Sequence, residues 1–213
     1  MGLSAPSKCD ILKNMNIKSY LTIQQAATYE INVERSRFIG HCQEVATAAT
    51  AREFVAAIRA RHAQATHNCY AYRVGAGPRP SEYYQDHGEP SGTAGKPILG
   101  GIQRLQLTNV VVVVTRYFGG KKLGIRGLIA AYGQATTLVL ETAGTVRRIP
   151  RFTVRLTYRY ADHSLILHRL AQIEALIIAT QYTENITTTF AIPETNRIAC
   201  HTLLAELPVT ILS

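Results

Sequence analysis

Long apolar runs are missing from this chain. No stretch of about 18 apolar residues occurs, so no membrane-spanning helix is expected. The four cysteines, Cys9, Cys42, Cys69 and Cys200, form no CxxC or other zinc spacing, which argues against a metal site. Free thiols of this kind suit a reducing compartment, and a cytoplasmic location is expected. Residues Met1 to Asn16 lack the apolar core of a signal peptide. They read as a polar, disordered extension (residues 1–16) in which Met15 is an alternative start. No internal repeat or low-complexity tract is evident.

Acidic side chains are scarce as well: 14 Asp and Glu face 23 Lys and Arg, a net charge of +9. The shortage is local. Residues 1–149 hold 18 basic against 9 acidic side chains, whereas residues 150–213 hold 5 of each. Between Gly88 and Leu140 one acid, Glu89, stands among six bases, Lys96, Arg104, Arg116, Lys121, Lys122 and Arg126. A basic domain beside a neutral one points to an anionic partner, the plain alternative being a soluble surface with no particular ligand. Glycines cluster in the same stretch, and without a Cβ they let backbone N–H groups approach a ligand and take up positive φ. That combination suits a phosphate-bearing partner, whether RNA or a small molecule.

Periodicity divides the chain into a basic domain over residues 17–147 and a smaller one over 150–213, with Gly144 and Pro150 bracketing Arg147-Arg148 at the boundary. In the first, Thr28 to Glu34 alternates as a half-buried strand, Arg35-Ser36-Arg37 turns, and Phe38 to Gln43 is a second strand. Thr50 and Glu53 make a capping box for a helix from about Ala51 to Ala63. Asn68 to Val74 is a strand with Tyr70 and Tyr72 on its core face, and Glu82 to Gln85 a short one. Thr93 to Gln103 holds a short helix, Pro97 being tolerated in its first turn. The valine run Val110–Val114 has the composition of a strand buried on both faces, and a long helix spans Leu123 to Thr142. The second domain reads strand, helix, strand, strand, helix, strand, with Asp162 as a helix cap and a hairpin across Thr183-Glu184-Asn185. That order is the ferredoxin-like pattern, an α+β unit.

Three kinds of chemistry compete for the loop at Asp86. A Walker A fails, because Pro90 stands where the first glycine belongs and Pro97 replaces the hydroxyl after Lys96. Gly119 to Gly127 does not fit G-x-G-x-x-G either. Asp86, Glu89 and Ser91 are candidates for a hydrolase or transferase, which requires a nucleophile, a base and an orienting group in reach of one another. Asp, Ser and Gly are equally the residues of tight turns and helix caps. His67 lacks a cysteine or carboxylate partner in sequence and reads as a structural hydrogen bond. Tyr117-Phe118, flanked by Arg116 and Lys121, resembles a base-stacking pair with phosphate contacts, or a plain turn after the valine strand.

Several separated motifs resemble the YigZ/IMPACT family: Ser36-Arg37-Phe38-Ile39-Gly40-His41, His67-Asn68-Cys69-Tyr70-Ala71-Tyr72, Asp86 to Gly95 (with Glu89-Pro90-Ser91-Gly92), and Thr115-Arg116-Tyr117-Phe118-Gly119-Gly120. Leu123-Gly124, Gly127-Leu128 and Ala131-Tyr132 continue the match. The resemblance implies a first domain folded like the second domain of ribosomal protein S5, followed by a small ferredoxin-like domain. It also implies a link to translation, since eukaryotic relatives regulate translation under amino-acid starvation through a protein partner. Nucleic-acid binding is the usual suggestion for bacterial relatives. Ile125-Arg126 departs from the family, which has a small residue and a glycine there.

The expectation from all this is a non-catalytic protein that binds RNA or a ribosome-associated anionic surface and modulates translation, with no cofactor and no metal. Lys96, Arg116, Lys121, Lys122 and Arg126 are its phosphate contacts, Arg35 and Arg37 flank them, and Tyr117 and Phe118 stack. The alternatives are a regulator docking an acidic protein, and an enzyme using Asp86, Glu89 and Ser91.

Overall fold

Five consecutive valines place a strand at the centre of the first unit. β-branched side chains favour the pleated strand, and a strand buried on both faces has no need of polar alternation. The chain is described here from a computed structural model over residues 19–212; the expected extension 1–16, Met15 and Cys9 lie outside them. The described chain divides into a unit from Tyr20 to Arg148 and another from Ile149.

In the first unit the elements are β1 (Tyr20–Ile23), β2 (Ala27–Val33), β3 (Ser36–Glu44), α1 (Ala48–Arg61), β4 (His67–Val74), β5 (Ser81–Gln85), α2 (Gly95–Arg104), β6 (Val110–Tyr117), α3 (Gly124–Ala143) and β7 (Thr145–Arg148). The main sheet runs β2-β3-β6-β4-β5, antiparallel throughout. Val110, Val112 and Val114 pack with Ile98 and Ile102 of α2 and with Leu128, Tyr132, Ala135 and Val139 of α3. Val111 and Val113 turn the other way, to Ala51, Val55 and Ile58 of α1, and Tyr70 and Tyr72 join that second core. One strand thus serves two hydrophobic layers.

Local details differ from the sequence reading. The first hairpin turns at Glu34-Arg35, both at positive φ, because a two-residue loop of this twist matches the twist of its strands. Ser36 is therefore the first residue of β3, paired with Val33 and buried. The capping box sits three residues earlier than expected, between Thr47 and Thr50. Strands β1 and β7 pair with each other and were not anticipated; at four residues each they are too short to establish a period.

The second unit comprises β8 (Arg151–Tyr158), α4 (His163–Ala171), β9 (Leu176–Tyr182), β10 (Ile186–Pro193), α5 (Arg197–Glu206) and β11 (Thr210–Leu212). Its antiparallel sheet has the order β11-β8-β10-β9, the ferredoxin-like arrangement expected. Leu156, Ile186, Phe190 and Ile192 from the sheet enclose a core with Ile166 and Leu170 of α4 and Cys200, Leu203 and Leu204 of α5. Asp162 does not cap α4 through its side chain; it pairs with Arg159 at 2.9 Å instead.

Candidate nucleic-acid interface

The loop after β5 is held by Asp86. Its Oδ1 accepts the backbone N–H groups of Ala94 (3.0 Å) and Gly95 (2.8 Å), and its Oδ2 that of Gly92 (2.8 Å). These donors lie at the start of α2, where helix N–H groups lack internal partners and a carboxylate is favoured. The turn-and-cap role of Asp86 is thus physical, and it leaves neither oxygen free of a backbone bond. Ser91 is exposed.

Glu89, from the same loop, points inward. Its Oε1 accepts from Arg116 (2.6 Å) and from the Tyr132 hydroxyl (2.9 Å), while the side chains of Glu89 and Arg116 are only 4% and 5% exposed. The other arm of the guanidinium reaches Ser36 Oγ at 3.3 Å, and that oxygen also accepts the Gly119 N–H. His67 stands with Nε2 at 3.8 Å from Glu89 and Nδ1 at 2.9 Å from the His87 carbonyl, so it has the carboxylate neighbour that its sequence context lacks. Asn68 accepts a hydrogen bond from Thr115 (2.7 Å) and donates its backbone N–H to His87 Nδ1 (3.1 Å). The single Cys69 S–H faces the Asp86 carbonyl at 2.8 Å, with the Tyr132 hydroxyl 3.4 Å from the sulfur; burial pushes the thiol up to about 12, too high for a reactive thiolate. Burial likewise raises the Tyr132 phenol, which stays a donor.

A groove of about 350 Å³ opens beside this network, lined by Glu89 and Pro90 from the Asp86 loop, Arg116 near the end of β6 and Phe118 just after it, and Lys122 to Ile125 with Leu128 from the following turn and helix. The two glycine-punctuated turns therefore meet at one place. Phe118 is 45% exposed, and the Arg116 guanidinium lies 5.3 Å from its ring centre. Ile125 forms part of the wall, whereas its neighbour Arg126 is exposed and does not.

The remaining basic residues separate into groups. Lys96, Lys122 and Arg126 are exposed and make no ion pair among the described residues. Lys121 pairs with Glu34 at 2.5 Å, both side chains more than half exposed, a contact worth little in water. Arg37 covers the Tyr117 ring at 4.5 Å, and the Tyr117 hydroxyl meets His62 at the end of α1 (3.0 Å). Tyr117 and Phe118 thus face opposite ways, as neighbours at a strand end do. Arg35 is exposed in its hairpin, and its backbone abuts Gly119, where a Cβ would overlap the Arg35 carbonyl.

Among the candidate site residues the sequence did not offer Tyr132 or Ser36, which entered it as parts of the family-like motifs, Ser36 also as part of a turn. The one signal available was Glu89 itself, a lone acid in a basic stretch.

A five-stranded sheet between helices, joined to a ferredoxin-like unit, defines a two-domain α+β protein. Residues 34–140 match the Impact N-terminal domain and residues 156–207 a domain of unknown function, DUF1949. The chain is 40% identical over 173 residues to the IMPACT family member YvyE of Bacillus subtilis (80% of this chain, 78% of that one). It is 33% identical over 179 residues to the IMPACT family member YigZ of Escherichia coli (83% and 87%). A crystal structure described as that of a hypothetical protein superposes with a TM-score of 0.67 at 30% identity, covering 92% of this chain and 97% of that one. The chain belongs to the IMPACT family.

Proposed function

We propose that the chain binds RNA or a ribosome-associated anionic surface through this groove and so modulates translation, without catalysing a reaction. The observation that supports the reading is the meeting of the Asp86 loop and the Lys121–Gly124 turn on one groove with Lys122 in its lining. Lys96, Lys122 and Arg126 keep their charge available for phosphates, and a half-exposed Phe118 beside a guanidinium is the surface on which an unpaired base stacks. Arg116 is already matched by Glu89, so in this reading it braces Phe118 rather than a phosphate. Binding is favoured over hydrolysis because Asp86 spends both oxygens on the backbone.

The test is fluorescence anisotropy with a labelled single-stranded RNA over a salt series. Each phosphate neutralised on a single strand steepens the log–log salt slope by roughly 0.7. Lys122→Glu should weaken binding and flatten that slope, with the fold unchanged by circular dichroism. A salt-independent affinity, or a protein complex that survives nuclease in place of RNA, would defeat the proposal.

A further inference from the structure

The carboxylate of Glu89 is only half used. Both strong donors, Arg116 and Tyr132, go to Oε1; among the described residues Oε2 accepts no hydrogen bond, and Glu89 is one of the residues that line the groove. An ionised carboxylate offers acceptors only, and one that forms part of an apolar wall has a strong preference for what it meets. The rest of that wall is Pro90, Phe118, Leu123, Ile125 and Leu128. At about 350 Å³ the groove lies at the small end of ligand pockets, roughly 300–1,000 Å³. It is the size for one flat ring system rather than a folded chain.

We infer that the groove takes a single unpaired guanine, its Watson–Crick edge donating to Glu89 Oε2, its ring against Phe118 and its phosphate near Lys122. The inference rests on the nucleic-acid reading above and adds the base. Among the four RNA bases, guanine alone presents two adjacent donors, N1–H and the N2 amine, to a carboxylate. Adenine and cytosine each set a ring-nitrogen acceptor beside their amine. Uracil sets its N3–H between two carbonyl oxygens. In those three cases a lone pair is turned toward the carboxylate, and repulsion opposes the contact. Lys122 supplies the charge that the phosphate requires, whereas Arg116 is neutralised by Glu89 and adds none. A guanine nucleotide could reach the groove within a strand or as free guanosine monophosphate, since both carry the same base and phosphate.

The experiment titrates the full chain with short oligouridine RNAs that differ only at one central base (guanosine, inosine, adenosine, cytidine or uridine), and in parallel with guanosine monophosphate. The central guanosine should bind about tenfold tighter than uridine, and inosine, which keeps N1–H but lacks the amine, should fall between them. Equal affinity for all five RNAs would overturn the guanine pocket while leaving general RNA binding intact. Binding of guanosine monophosphate without any RNA would keep the pocket and remove the strand. No binding of either probe would sink both. Glu89→Gln should abolish the preference for guanosine; because that change also disturbs Arg116, the base series on the unaltered chain remains the deciding measurement.

Discussion

Glu89 and Arg116 form a buried ion pair, 2.6 Å between Oε1 and the guanidinium, across 27 residues of chain. The pair joins the Asp86 loop to the end of the central strand, and the groove exists because those two segments are held together. Burying both charges costs solvation, and the arrangement survives because Tyr132 and Ser36 satisfy further sites on the two groups. The same pair fixes the wall that carries Phe118.

Removing one partner strands the other charge. Glu89→Ala should destabilise the first domain by roughly 3–5 kcal/mol, read as a fall in the urea midpoint. Replacing both, as Glu89→Gln with Arg116→Met, should cost less than the sum of the single changes. Strict additivity would show that the pair is not coupled.

Asp86 organises its loop through three backbone donors. Asp86→Ala should lower stability by about 2 kcal/mol and weaken ligand binding through disorder of the loop, while Asp86→Asn should retain part of both. Stability equal to that of the unaltered chain would contradict the capping role.

Gly119 lies against the Arg35 backbone with no space for a side chain. Gly119→Ala should cost roughly 1–3 kcal/mol by overpacking, with Gly120→Ala as a comparison in open space at positive φ. Thermal unfolding of the two variants checks the difference, since a steric clash and a backbone preference need not cost the same.

His41 is 3% exposed, its Nδ1 3.0 Å from the Thr28 hydroxyl. Burial first, then the charges of His62 and Arg61, push its pKa down from 6.5 to about 4. The unfolded chain takes up this proton near 6.5 and the folded chain only near 4, so the unfolded state binds more protons between those values. Stability from this group is complete above 6.5, declines as pH falls and levels off below about 4, a total of up to about 3 kcal/mol. His62 and His87, also lowered chiefly by burial, add in the same direction. Urea unfolding from neutral to acid pH should show this decline, and His41→Gln should make it shallower; an unchanged slope would remove His41 from the account.

Two domains, an α+β composition, the doubly buried valine strand and the ferredoxin-like order were all determined by the sequence, because each depends on which way successive side chains face. Period, turn residues and β-branching report that directly. The meeting of Glu89, Arg116 and Tyr132 was decided by tertiary structure alone, since residues 27 and 43 positions apart share no local signal. The same holds for the pairing of β1 with β7 across the whole first unit, and for the parting of Tyr117 from Phe118, where packing against α1 claimed one ring and the groove the other. Periodicity says which side of an element is buried; only the folded chain says against what.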